Sequence, residues 1–133
     1  MDDRRARILL IALGLLFVAI VLAAVALNEG GDAEPLPEAV ERVSPRPGDA
    51  VIPQSEIVVD MQVGYDVQIV VDGLILSGDE VEVSTATGVH RWAPSDDNTI
   101  TEWVPGTHTV VIRWDKVSGL PDRGSYSWSF RVQ

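Results

Sequence analysis

The sequence predicts an all-β sandwich of about seven strands behind a single N-terminal transmembrane helix. Three observations carry that prediction. Ile8 to Leu27 is an unbroken run of twenty apolar or small residues. From Ala39 onward the apolar residues recur with a period of two. Glycine, proline and aspartate interrupt that alternation at short intervals, and no helical pattern of useful length follows the first run.

Four segments follow in order: residues 1–7 as a cytoplasmic N-terminus, 8–27 as a signal-anchor helix, 28–38 as a linker, and 39–133 as an extracytoplasmic domain. The twenty residues from Ile8 to Leu27 contain no charge. At about 1.5 Å rise each they span about 30 Å, the thickness of a hydrocarbon core. Only a helix satisfies its own backbone there without a closed barrel. Arg4, Arg5 and Arg7 precede the run, whereas Glu29, Asp32 and Glu34 follow it. The positive-inside rule then leaves the N-terminus in the cytoplasm and the domain outside. The competing reading is a cleaved signal peptide, because Ala24-Val25-Ala26 has the small-x-small form of a cleavage site. A signal-peptide apolar region normally runs only about 7–15 residues, which favours an anchor. Gly14, Ala19, Ala23 and Ala26 offer a small-residue face of the kind that lets helices approach in lipid.

Asn28 to Glu38 contains two glycines, two prolines and several acids without apolar periodicity, the composition of a tether. Eleven residues reach at most about 40 Å. A tether this short suits a partner in the same membrane.

In the domain, Ile57, Val59, Met61 and Val63 fall on one face. Val67, Ile69 and Val71 form the next strand, and Asp72-Gly73 separates it from Leu74–Leu76 as a two-residue hairpin turn. Val81, Val83 and Thr85 alternate with Glu82 and Ser84. His108, Val110, Ile112 and Trp114 share a face, as do Tyr126, Trp128, Phe130 and Val132. The stretch around Arg91 and Trp92, Gly88 to Pro94, reads as an irregular loop, and Trp103 precedes the turn at Val104-Pro105-Gly106.

Ser44-Pro45-Arg46-Pro47-Gly48-Asp49 followed by Ile57-Val58-Val59 resembles the opening of bacterial immunoglobulin-like domains. The ending resembles them too: Pro105-Gly106 before an alternating strand, then Tyr126-Ser127-Trp128-Ser129-Phe130-Arg131-Val132. The resemblance covers about residues 40–133, matches less well from Thr85 to Ile100, and implies a two-sheet sandwich. Periplasmic copper carriers have a similar opening, and likeness to them implies copper held by histidines, often one at the mature N-terminus. Here the histidines are only His90 and His108, and Met61 is the domain's only methionine, so the copper role does not carry over.

Charge and composition exclude several functions. After the apolar run there are 18 acidic and 7 basic residues, a net of −11. Such a surface repels phosphate backbones, so no nucleic-acid partner is expected. The chain has no cysteine, which removes disulfides, thiolate metal sites and cysteine nucleophiles. No nucleophile elbow or glycine-rich phosphate loop occurs. The expectation is a non-enzyme with no catalytic residue, cofactor, metal site or identified small-molecule substrate. His108 at a strand entry occupies the place where related sandwiches often carry a tyrosine that bonds back across a corner, and is expected to be structural. Asp79, Glu80 and Glu82, like Asp96, Asp97 and Asn98, lack the spacing of a calcium loop.

The leading expectation is a binding or accessory module on the outer face of a bacterial plasma membrane, contacting another membrane or envelope protein. Arg91 and Trp92, with Ala19 and Ala23 in the helix, are its candidate contacts, since arginine beside an aromatic is a common interface anchor. The alternative is an extracytoplasmic carrier of a metal or a cell-wall glycan. The topology is directly testable. A reporter active only outside the cytoplasm, fused after Gln133, should be active, and N-terminal sequencing should begin at Met1. A first residue at Leu27 would replace the anchor with a secreted domain.

Overall fold

The computed structural model describes residues 3–27 and 35–133; Met1, Asp2 and residues 28–34, which hold most of the expected tether, lie outside the described residues. The chain divides into two units, Met1–Ala33 and Glu34–Gln133.

The first unit contains α1, Asp3–Leu27. Within Asp3–Ala24 an 18-residue stretch has a mean hydropathy of 2.8, long and apolar enough to cross a membrane, a property that anchors and signal sequences share. The helix begins five residues before the expected apolar run. Arg4, Arg5 and Arg7 are good helix formers, and Asp3 in the first turn complements the positive end of the helix dipole.

The second unit is an immunoglobulin-like β-sandwich. Its strands are β1 (Val40–Ser44), β2 (Ala50–Val51), β3 (Ile57–Met61), β4 (Tyr65–Val71), β5 (Leu74–Ile75), β6 (Glu82–Ser84), β7 (Val89–Trp92), β8 (Gly106–Lys116) and β9 (Gly124–Val132). One sheet has the order β1-β3-β7-β6, and the other the order β2-β9-β8-β4-β5. All pairings are antiparallel except β2 with β9, which is parallel. The long β8–β9 ladder runs from Gly106 opposite Val132 to Trp114 opposite Gly124. It puts Val110, Ile112, Trp114, Tyr126, Trp128, Phe130 and Val132 into the core, as the alternation predicts.

The Asp72-Gly73 turn forms as expected. Val71 faces Leu74, and Asp72 and Gly73 take φ of 50° and 82°, the paired positive values of a type I′ turn. Three local expectations need correction. Gly88 to Pro94 is not an irregular loop. Residues Val89–Trp92 form β7, a central strand paired with β3 on one side and β6 on the other. Val63 does not continue the β3 face, because the strand ends at Met61 and Val63 is 62% exposed in the following turn. Val83 lies on β6, a short sheet-edge strand with every residue exposed.

Indole N–H groups pin the connections to the core. Trp128 donates to the Pro45 carbonyl at 2.9 Å and Trp103 to the Ser55 carbonyl at 2.8 Å. Trp92 reaches the Glu80 carboxylate at 3.3 Å. The same Glu80 accepts from the Thr99 backbone N–H at 2.9 Å and from its hydroxyl, which latches the loop after β5 to the loop after β7.

His108 closes a corner at the start of β8. Its Nδ1–H donates to Asp72 at 2.5 Å and its Nε2–H to the Val104 carbonyl at 2.6 Å. Asp72 also accepts the Thr109 N–H at 2.8 Å and returns its own N–H to the Thr109 carbonyl at 2.9 Å. The hairpin turn is thereby clipped to β8. Both ring nitrogens face acceptors, an arrangement that only the doubly protonated imidazolium fills completely. Burial pushes the His108 pKa down, but the hydrogen bonds to Asp72 and Val104 and the charge of Asp72 outweigh it and hold the ring above its ordinary value of 6.5.

Gly88, with φ of 79°, is where β7 begins against β3. Its carbonyl accepts the Met61 N–H at 3.0 Å, and a Cβ there would lie 2.1 Å from the Met61 carbonyl oxygen. Gly88→Ala therefore combines positive-φ strain with overpacking. It should destabilise the domain by about 2–4 kcal/mol in denaturant unfolding, since each effect alone costs about 1–3 kcal/mol. A loss below about 1 kcal/mol would mean that the β3–β7 approach is looser than described. The corner makes a second prediction. A histidine held above its ordinary pKa contributes fully below the unfolded value, and the contribution fades as pH rises through the folded value. The thermal midpoint should fall between about pH 6 and pH 8, and His108→Gln should flatten that slope. A slope unchanged in the variant would assign it to another group.

Candidate functional site

The outer face of the five-stranded sheet is polar. Ser125, Ser127, Ser129 and Arg131 project from β9, Thr109, Arg113 and Asp115 from β8, and Asp66 and Gln68 from β4. The register sets Arg113 between Ser125 and Gln68, and Asp115 opposite Asp66. An open groove of about 500 Å³ lies here, bordered by Asp66, Gln68, Arg113, Asp115, Arg123 and Ser125, with Trp114 and Gly124 beside them. Trp114 faces Gly124 across the ladder. A Cβ at Gly124 would sit 2.4 Å from the indole Cζ2, so the absent side chain leaves the ring room on the core face beneath the groove.

The groove's charges are partly ordered. Arg123 Nε donates to Asp115 at 2.9 Å, and Asp115 also accepts the backbone N–H of Lys116 at 2.8 Å and of Asp122 at 3.1 Å. The Arg123 hydrogen bond leads in holding the Asp115 carboxyl below the usual range; burial opposes it, and the two backbone donors and the Arg123 charge add to it. Arg113 Nη1 approaches Gln68 Oε1 only at 3.5 Å, at the limit of a useful hydrogen bond. Its guanidinium fork thus has donors to offer a carbonyl or carboxylate. Next to the groove, the Tyr65 hydroxyl donates to Asp122 at 2.5 Å. That bond, with burial and the charges of Asp122 and Glu38, raises the Tyr65 pKa.

The residues singled out by sequence are scattered. Trp92 is 2% exposed and packs edge-to-face on Trp103 at 5.6 Å. It is a core residue, and its expected role as a surface contact is corrected: β7 turns it inward, so it offers no face to a partner. Arg91 points outward on the same strand and pairs with Glu56 at 2.8 Å, both half exposed, a surface pair of small energetic weight. Ala19 and Ala23 lie exposed on α1. Trp103 is buried, meets Phe130 edge-to-face and lies tilted against His108.

The chemically versatile side chains have structural tasks. His90 is 2% exposed, with Nδ1 at 3.1 Å from the Gly88 carbonyl. Met61 is buried. His108 is held by Asp72 and Val104. Asp79 accepts from the Ser77 hydroxyl, which with its own backbone N–H lowers its pKa. Glu80 forms the latch, and Asn98 donates to the Ala93 carbonyl at 2.8 Å. Among the described residues, no three His, Cys, Asp or Glu side chains are grouped to hold a metal. The groove itself was not foreseen. It gathers outward polar side chains from three strands, and bringing them together requires the strand register.

No family model matches the sequence, and no curated protein matches it. Solved structures do resemble it. An endo-β-1,4-mannanase from Thermotoga petrophila aligns with a TM-score of 0.51 at 10% identity, over 77% of this chain and 21% of that enzyme. This likeness concerns the fold alone. CopC from Methylosinus trichosporium OB3b aligns at 0.48 with 16% identity, over 71% of this chain and 93% of that one. PcoC, a methionine-rich copper resistance protein from Escherichia coli, aligns at 0.49 with 14% identity, over 71% of this chain and 96% of that one.

Proposed function

We propose that the chain is a membrane-anchored, non-enzymatic binding module. It displays its sandwich on the outer face of a bacterial plasma membrane and contacts another membrane or envelope protein. The observation that carries this reading is the division of labour among polar groups. His90, His108, Asp79 and Glu80 are engaged in hydrogen bonds within the domain, whereas the outer face of the five-stranded sheet leaves Arg113, Gln68, Asp66 and a run of serines around an open groove.

Arg113 is the central contact, because a planar fork pairs with backbone carbonyls or carboxylates in two directions. Small hydroxyl side chains around it permit close approach by another polypeptide. Ala19 and Ala23 give the anchor helix a close-packing face toward a second transmembrane helix. Arg91, on the opposite sheet, is a rim contact at most.

The test uses the full chain extracted in mild detergent and cross-linked in place. Arg113→Glu should remove or shift its cross-linked species without lowering the thermal midpoint, and Ala19→Leu with Ala23→Leu should weaken the same species. Copper, zinc or calcium should leave the midpoint unchanged. A metal that binds only the native state at 100 times its dissociation constant stabilises by about 2.7 kcal/mol, which is readily seen. A copper-dependent rise lost in His90→Ala would replace this reading with that of a metal carrier. Cross-linked species indifferent to Arg113→Glu would move the contact off the groove.

A further inference from the structure

We infer that the end of the sandwich where the chain enters from the anchor is a lipid-contacting surface, whose apolar loop tips sit in the headgroup–acyl boundary of the bilayer. The inference rests on the reading of α1 as a membrane anchor.

The entry point is fixed by hydrogen bonds. Val40 pairs with Met61, the Gln62 N–H donates to the Ala39 carbonyl at 2.9 Å, and the Gln62 side-chain amide donates to the Glu38 carbonyl at 3.0 Å. The incoming segment therefore joins the domain beside the β3–β4 turn. The β8–β9 loop reaches the same end, where the Val117 N–H donates to the Gly64 carbonyl at 3.0 Å. Here Val63 is 62% exposed, Val83 47%, Val117 72% and Leu120 86%. Single exposed apolar residues need no explanation. These, however, come from three separate chain segments at one end, and Val63, Val83 and Val117 border a half-open recess of about 300 Å³ with His90 and Tyr65.

The tether decides the occupant. Only residues 28–34 separate the end of α1 from the first described residue of the domain. Seven residues reach about 25 Å when fully extended. The apolar end thus stays within reach of the interface, where buried apolar groups lie about 5–10 Å deep. The charges at this end are of both signs: Lys116 precedes Val117, Arg123 pairs with Asp115, and Asp122 accepts from Tyr65. With 18 acidic and 7 basic residues after the anchor run, the domain gains nothing from anionic headgroups. The contact is accordingly apolar and indifferent to salt.

The chain has no cysteine, so single labels can be placed cleanly. Val117→Cys and Leu120→Cys, each carrying an environment-sensitive fluorophore, are compared with Ile52→Cys and Val104→Cys. The latter two positions are comparably exposed but flank strand ends at the opposite end of the sandwich. The full chain is reconstituted in phosphatidylcholine vesicles containing nitroxide-labelled acyl chains and washed at alkaline pH. The labels at 117 and 120 should be blue-shifted and quenched severalfold more than those at 52 and 104, equally at low and high salt. Val63→Ser should reduce that quenching. Equal, water-like signals from all four positions in washed vesicles would overturn the lipid contact while leaving the anchor intact. Shielding of 117 and 120 from an aqueous quencher without nitroxide quenching would also overturn it, in favour of contact between proteins. Loss of the chain in the wash would overturn the anchor reading, and the lipid contact with it.

Discussion

The two sheets are joined through an aromatic relay. Trp92 on β7 meets Trp103 edge-to-face at 5.6 Å, and Trp103 meets Phe130 on β9 edge-to-face at 5.2 Å. One ring thus comes from each sheet, with a third from the loop between β7 and β8. Edge-to-face contacts contribute about 0.5–1.5 kcal/mol each beyond the area they bury. In antibody domains a disulfide joins the sheets at this depth; this chain has no cysteine. The relay also orders what surrounds it. Trp103 fixes the β2–β3 connection through Ser55 and packs, tilted, against His108 at 4.8 Å, while Trp92 reaches the Glu80 latch. Disturbing one ring therefore loosens three loops together.

That arrangement bears on function because it consumes polar chemistry. Glu80 holds two loops, and His108 and Asp72 hold a corner. Groups so tied have lost the freedom a ligand or reaction would require, and releasing them would leave unpaired polar atoms, each costing about 1–3 kcal/mol. On the outer face of the five-stranded sheet Asp115 is tied in the same way, but Arg113 reaches Gln68 only at 3.5 Å. The residues of this face alternate away from the core, so it can vary in chemistry without cost to the fold, which is where a binding surface is most easily built.

The sequence conveys the sandwich where alternation is long. β8 and β9 carry four inward apolar or aromatic residues at successive odd steps, and Asp72-Gly73 specifies its turn through positive φ at both positions. It conceals β7. That strand alternates too, but its inward residues are His90 and Trp92 and its outward one is Arg91, a pattern whose polar inward member imitates a loop. The error over Trp92 has the same origin, since an aromatic next to an arginine reads as an interface anchor until the strand is known. Val63 misleads oppositely: its spacing continues β3, but the backbone leaves the sheet at Gln62 to donate to Ala39. The groove is illegible for a stricter reason. Gln68, Arg113 and Ser125 become neighbours only through the β4–β8 and β8–β9 registers, and no local pattern encodes a pairing across a loop.

A groove of this kind is small beside the roughly 800 Å² that each partner buries in a stable protein complex. A helix within lipid gains no hydrophobic drive and relies on close packing at small residues such as Ala19 and Ala23. Neither contact suffices alone. On the proposed reading their connection changes the arithmetic, because a short tether would make the second engagement intramolecular and raise its effective concentration to the millimolar range. On the proposed reading, a weak, polar and shallow sheet face supplies selectivity, while confinement to the membrane supplies occupancy. Lipid contact by Val63, Val117 and Leu120 would strengthen this further by restricting the domain's orientation before the partner arrives, which lowers the entropy lost on binding.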